Sequence, residues 1–455
     1  MLAEALGAPP EGVEAAVTVV DGLDRALVHG LSRVDDEGAA ALEATAAAFA
    51  DSPPGERIAE AVGKILAGTV SDEHLVALAA ARLALLAAAH DALLAQSDSA
   101  LGRHRDGVIP PIASAPNGIP VAGCRSWLRE LAIAGWRGVD RELASAAAQS
   151  VQALLPDPGQ RRLAVLLDGL TAELQAVAPV AGQQRVPVRR WADLWSRALV
   201  LSQPTVAGPA PATPVDGRLL VLGVDLHEHP TVFRAQVHGL LEQSDGVRLV
   251  RTSIAAPKVD TITGPSAWRM LAGFPVLLGA LAQRRAVELS GMPLTPSGDL
   301  IWDDAAAGAG EPSDPFTVAQ VRLAGATAMS TAPLDRHPAV IAEPVLLQGY
   351  TPNGAGLELD GRPLPVAVDR IPAAGPLTRE LVGASTACIG LLRWDGGRWA
   401  VQPLAVQVVQ KKKLVTVHTA DWALGPTEAK AAKDEAGAGM AVAVLRERAG
   451  RLLRT

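Results

Sequence analysis

Residues 218–241 read RLLVLGVDLHEHPTVFRAQVHGLL, and the fold turns on this stretch. Alternate side chains of a strand share a face. Leu220, Leu222, Val224 and Leu226 are therefore expected on one side, and Asp225, His227 and His229 on the other. After Pro230 the alternation resumes, with Phe233, Ala235 and Val237 on one face and Arg234, Gln236 and His238 on the other. Two such runs around His229-Pro230 predict an antiparallel hairpin. That hairpin places Asp225 roughly opposite Arg234, as an ion pair on a solvated sheet face.

The three polar residues also invite a chemical reading. Asp-x-His-x-His on a strand can converge imidazoles and a carboxylate on one ion, as at the first metal site of several metal-dependent hydrolases. Asp225, His227 and His229 are the candidate ligands. In the barrel hydrolases, however, the motif closes a parallel strand leading to a loop and a helix, whereas here Pro230 and a second alternating run follow at once. Short motifs of this kind often match by accident. A wet sheet face carrying two histidines is the plainer expectation, and neither a metal nor another cofactor is expected.

Working outward, the pattern changes at a Pro-rich stretch. Residues 1–202 carry apolar side chains at helical spacing, for example Ile58, Val62, Ile65 and Leu66. Ser71 is placed to cap a helix over Asp72 to Gln96. Residues 203–216 contain Pro204, Pro209, Pro211 and Pro214 and read as a linker. From 217 to 425 period two prevails, with an inserted helix near 266–289 that Pro275 should kink or break. Short strands are expected at Thr317 to Leu323 and Pro365 to Asp369. Asp395-Gly396-Gly397 turns a hairpin between Cys388–Trp394 and Arg398–Val401. A loop over 106–123, with Ile119-Pro120-Val121, interrupts the helical part, and 426–455 reads as a C-terminal helix. The fold class is thus α+β and multidomain: an N-terminal helical domain, then an antiparallel β-rich, barrel- or sandwich-like region, then the final helix.

Composition narrows the function. The chain has 455 residues, 49% hydrophobic, and a net charge of −7, so it is long enough for two or three globular cores. Phosphate neutralisation needs clustered Lys and Arg, and Lys411-Lys412-Lys413 is the one basic run, expected in a turn. Nucleic acid is therefore not expected as a partner. Leu75 to Ala89 is apolar but short and interrupted by Arg82, so a buried helix is expected rather than a membrane span. Cys124 and Cys388 give neither a disulfide framework nor a zinc spacing. With no signal-type N-terminus, the expectation is a cytoplasmic protein, and the excess of Arg over Lys with abundant Ala is associated with high-GC bacteria.

Phosphate-binding loops, dinucleotide fingerprints, G-x-S-x-G elbows and H-E-x-x-H are all missing from the sequence. His418 with Asp421 reads as a turn. The tryptophans are more suggestive. Trp191 and Trp195 form an i, i+4 pair for a helical core. Trp394 and Trp399 flank the Gly turn as cross-strand neighbours. With Arg393 and Arg398 beside them, they are candidates either for core packing or for an exposed partner anchor, since Trp and Arg are enriched at binding hot spots.

Two segments, Arg189 to Leu199 (RRWADLWSRAL) and Gly390 to Gln407 (GLLRWDGGRWAVQPLAVQ), resemble segments of uncharacterised actinobacterial proteins. Those are encoded beside MoxR-type AAA+ ATPases, von Willebrand A-domain proteins and SWIM zinc-finger proteins. The chain itself lacks the Cys/His set of the last and the D-x-S-x-S motif of the second. The resemblance implies an accessory subunit of an ATPase-driven remodelling or conflict system, with the AAA+ ATPase or the von Willebrand A-domain protein as partner. The expectation is a non-catalytic adaptor or scaffold. A metal-dependent hydrolase at Asp225, His227 and His229 is the alternative, and a peptide or small-ligand sensor a third.

Overall fold

The computed structural model describes residues 2–106, 119–203, 211–353, 356–427 and 432. The switch from helical to alternating pattern marks the architectural boundary. Before it lie α1 (Val13–His29), α2 (Asp36–Ala47), α3 (Gly55–Leu66), α4 (Asp72–Leu101), α5 (Ile119–Ala134), α6 (Ala148–Leu154), α7 (Arg161–Val177) and α8 (Val188–Leu201). Ser71 caps α4 by accepting a hydrogen bond from the His74 N–H, and Gly102 ends it in a left-handed conformation. Trp136, Trp191 and Trp195 are buried in the shared helical core, where Trp195 donates to the Leu128 carbonyl at 2.9 Å.

The helix α4 is long and apolar enough, by length and composition, to cross a membrane, yet half of its most apolar window is buried among its neighbours. Its Arg82 is enclosed there and pairs with Asp24 of α1 at 2.6 Å. The expected non-helical run Ile119-Pro120-Val121 is instead the first turn of α5. Proline is tolerated there because its missing N–H has no intrahelical partner to lose. The remainder of that expected loop, 107–118, lies outside the described residues, as do 204–210 of the linker and all of the expected C-terminal helix beyond 427 except 432.

The β-rich half forms two main sheets. The first contains β1 (Thr213–Glu228), β2 (Val232–Gln243), β3 (Gly246–Pro257), β4 (Arg285–Leu294), β5 (Asp299–Leu300) and β6 (Ala307–Pro312). Its strand order is β1-β2-β3-β5-β4-β6, and β4 also pairs with β1, so the sheet curls back on its first strand. The second sheet contains β7 (Glu343–Gln348), β8 (Ser385–Asp395), β9 (Arg398–Gln410) and β10 (Lys413–His418), in the order β10-β9-β8-β7. Mixed α+β architecture with sandwich-like sheets is what the periodicity implies.

Several boundaries differ from the sequence reading, each for a physical reason. Residues 213–216 of the expected linker are already strand, paired with β4. The expected helix at 266–289 divides at Pro275. Gly264–Leu271 is a 3-10 helix, α9 spans Pro275–Gln283, and 285–289 belong to β4. Thr317 to Leu323, expected as a strand, is helical, because Asp314 caps a helical turn through the Thr317 N–H. Residues 368–370 form a 3-10 turn rather than the end of a strand.

The most consequential difference lies in β1. A bulge between Val221 and Gly223 makes Leu222 an extra residue with no counterpart on β2. A bulge shifts the side-chain parity of everything beyond it. Leu220 and Leu222 pack with Ala387, Ile389 and Ala405 of the second sheet. Val224 and Leu226 turn away from them, into a cluster with Trp268, Leu271 and Leu277. The four do not share one face as the simple alternation implied. Beyond the bulge it is Gly223 and Asp225 that face the second sheet. A Cβ on Gly223 would lie 2.5 Å from the Leu404 Cβ of β9, so only glycine permits this approach.

Candidate functional site

The parity shift carries Asp225 into the space between the sheets, where it is 2% exposed. In the β1–β2 register it lies opposite Gln236, and Arg234 lies opposite His227. The expected Asp225–Arg234 pair on a wet face is therefore corrected. The acidic partner is held from the other sheet: the Arg393 Nη2 of β8 donates to Asp225 Oδ2 at 2.6 Å, and Gln402 Nε2 of β9 donates to Oδ1 at 2.7 Å. Arg393 Nε in turn donates to Gln402 Oε1 at 2.9 Å, closing a three-residue ring of hydrogen bonds across the sandwich. His227 Nε2 lies 2.9 Å from Asp225 Oδ2, although off the direction of a well-formed hydrogen bond. Burial works to raise the Asp225 pKa, but His227, Arg393 and Gln402 together outweigh it and hold the carboxylate well below its usual range.

This arrangement bears directly on the metal reading. Both Asp225 oxygens are engaged by side-chain donors, and the exposed His229 turns its Nδ1 to the Thr231 hydroxyl at 3.0 Å. Among the described residues no group of three or more His, Cys, Asp or Glu is placed to hold a metal ion.

The tryptophan hairpin has the register its Gly turn implied, with Trp394 opposite Trp399 and their rings edge to face at 5.5 Å. It is not an exposed tip. Trp394 and Trp399 are 8% and 3% exposed and pack with Leu6, Val13, Leu93 and Leu94. Trp399 Nε1 donates to Gln96 of α4 at 2.9 Å. The pair is the seam between the helical half and the second sheet. Arg393 is committed to Asp225, and of the four candidates for a partner anchor Arg398 alone is exposed.

Besides His90 of α4, three histidines are enclosed. His238 on β2, His337 before β7 and His418 at the end of β10 are all buried. Burial pushes their pKa values down, to about 3, about 4 and about 4 respectively. His418 is a structural group: its Nδ1 accepts from the Ala420 N–H, while its backbone N–H donates to Asp421 Oδ2. A histidine whose folded pKa lies below its unfolded value of about 6.5 resists protonation only in the folded state. The unfolded chain then takes up protons first as pH falls, so stability is full above about 6.5 and is lost between there and about 4. Chemical denaturation at pH 7.5 and 5.0 is expected to show a fold weaker by several kcal/mol at the lower pH, each pKa unit being worth ~1.4 kcal/mol. An unchanged midpoint and slope would count against buried neutral histidines.

A polar cleft of about 470 Å³ opens beside this network. His90 and Leu94 of α4 contribute to it, with His227, Arg234, Gln236 and Arg251 of the first sheet, Glu343 and Arg393 of the second, and Arg370 from the turn after residue 367. The cleft thus sits where the helical half and both sheets meet. Sequence reasoning missed Arg234, Arg251 and Arg370 as a group, because 136 positions of sequence separate the first from the last and no local motif joins them. No family model, curated protein or solved structure matches the chain.

Proposed function

We propose that this chain is a non-catalytic adaptor or scaffold subunit that works in the cytoplasm and docks an apolar, acid-flanked segment of a partner protein. The observation that carries this reading is the β9–β10 hairpin. Val409 and Leu414 lie directly opposite each other, and each is 60% exposed. Lys411 and Lys412 form the turn, both in left-handed conformations, and Lys413 opens β10 opposite Gln410. A cross-strand apolar pair held open to solvent under three ammonium groups is complementary to an apolar side chain flanked by carboxylates. The hairpin also ends the second sheet, since β10 is its outermost strand. The engaged state of Asp225 supports a non-catalytic role over the metal-dependent hydrolase.

The partner this reading commits to is the MoxR-type AAA+ ATPase implied by the resemblance of residues 189–199 and 390–407. Purified ATPase and the full chain are expected to bind in titration calorimetry. Val409→Asp with Leu414→Asp is expected to weaken that binding by tenfold or more at an unchanged melting temperature, because both side chains are already in water. Failure of the native chain to bind, or undiminished binding by the double variant, refutes the proposal.

A further inference from the structure

The polar cleft contains more positive charge than its own carboxylates neutralise. Each acidic group in or beside it is already held by an arginine: Asp299 by Arg251, Asp225 by Arg393, Glu343 by Arg103 and Arg105, and Asp335 by Arg162. Two arginines remain. Arg234, half-buried on β2, has no ion pair among the described residues. Arg370 reaches only the exposed Asp395, at 3.7 Å, and its Nε is buried without a hydrogen-bond partner. Both guanidinium groups lie close enough to Arg393 to oppose its charge. His227 Nε2, 2.9 Å from Asp225 Oδ2, is already turned to that carboxylate.

A buried charged donor left unsatisfied, such as Arg370 Nε, is costly to the fold. A guanidinium presents two parallel N–H groups that fit the oxygens of an oxyanion. Here the guanidinium donors come from two separate elements, β2 through Arg234 and the turn at Arg370. A carboxylate offers two oxygens, which a single fork satisfies, whereas a phosphoryl group offers three terminal oxygens that two forks can share. We infer that the cleft between the helical half and the two sheets is a binding site for a soluble small molecule carrying a phosphoryl group, with Arg234 and Arg370 as its principal ligands. The volume exceeds that of the anion alone, so the remainder of the molecule would lie toward His90 and Leu94 of α4. The site shares no residue with the Val409/Leu414 hairpin, so its failure and that of the adaptor reading are distinguishable.

The test is titration calorimetry of the full chain with inorganic phosphate and with adenosine monophosphate, beside cosedimentation with vesicles of phosphatidic acid in phosphatidylcholine. Saturable binding of either soluble probe is expected. It should fall at least tenfold in Arg234→Gln with Arg370→Gln, and stay unchanged in Arg129→Gln, whose ion pair with Asp72 lies in the helical half. If the double variant folds poorly, Arg234→Lys keeps the charge but loses the fork, and it should still weaken binding several-fold. Absence of saturable binding, equal binding by these variants, or sedimentation with vesicles without binding of the soluble probes would overturn the inference.

Discussion

Asp225→Ala is expected to destabilise the protein by about 3–5 kcal/mol, the cost of leaving one member of a buried ion pair without its partner. The Arg393 guanidinium would remain between the sheets, bonded only to Gln402 and to the Ile341 carbonyl. Gln402 Nε2 would lose its acceptor as well. Asp225→Asn separates charge from shape, since the amide can still accept from Gln402 but leaves the guanidinium uncompensated. Arg393→Met with Asp225→Leu removes both charges, and should recover much of the loss, because replacing a buried pair by packed apolar groups is often neutral. Denaturant unfolding of the four proteins provides the measurement. A loss below about 1 kcal/mol for Asp225→Ala would mean that water reaches the guanidinium and that the sheets do not enclose it.

Trp399→Ala carries the second large effect, about 3–5 kcal/mol by analogy with other buried aromatic truncations. The indole fills the seam between α4 and the second sheet and donates to Gln96. Its removal leaves a cavity at a contact between two parts of the chain that are 303 residues apart in sequence at this bond. An earlier melting transition is expected, and the transition should broaden or split as the helical half loses its hold on the sheet. Trp394→Ala should behave alike but less severely, since that ring is slightly more exposed. Unaltered melting in both variants would return the hairpin to the role of an exposed anchor.

The two cases show what was legible in the sequence and what was not. Trp394 and Trp399 were readable as cross-strand neighbours, because a two-glycine turn fixes a hairpin register locally. Which side of the sheet they faced, and that α4 lay there, depends on contacts with residues some 300 positions away. The helical half was legible in its spacing and in the Ser71 cap that opens α4, because both signals are local. The β1 parity was not, because Leu219 to Leu222 is apolar at every position and alternation gives no phase. Gly223 was the available signal, since an isolated glycine within a strand marks a bulge or a close backbone approach, and here it marks both. Arg393 was readable as a candidate of interest, but its role follows from a carboxylate 168 positions earlier.

The extra residue at Leu222 has a consequence for how this gene can drift. Most positions of a strand accept exchange of one side chain for a similar one, at a cost paid locally. Loss of a single codon within 219–222 would be of another kind. It would remove the extra residue and straighten the strand, while Gly223, Val224, Asp225 and Leu226 kept both their faces and their partners on β2. Related chains are therefore expected to differ by one residue at the bulge more readily than beyond it, where loss of Val224 would turn Asp225 toward the apolar cluster around Trp268.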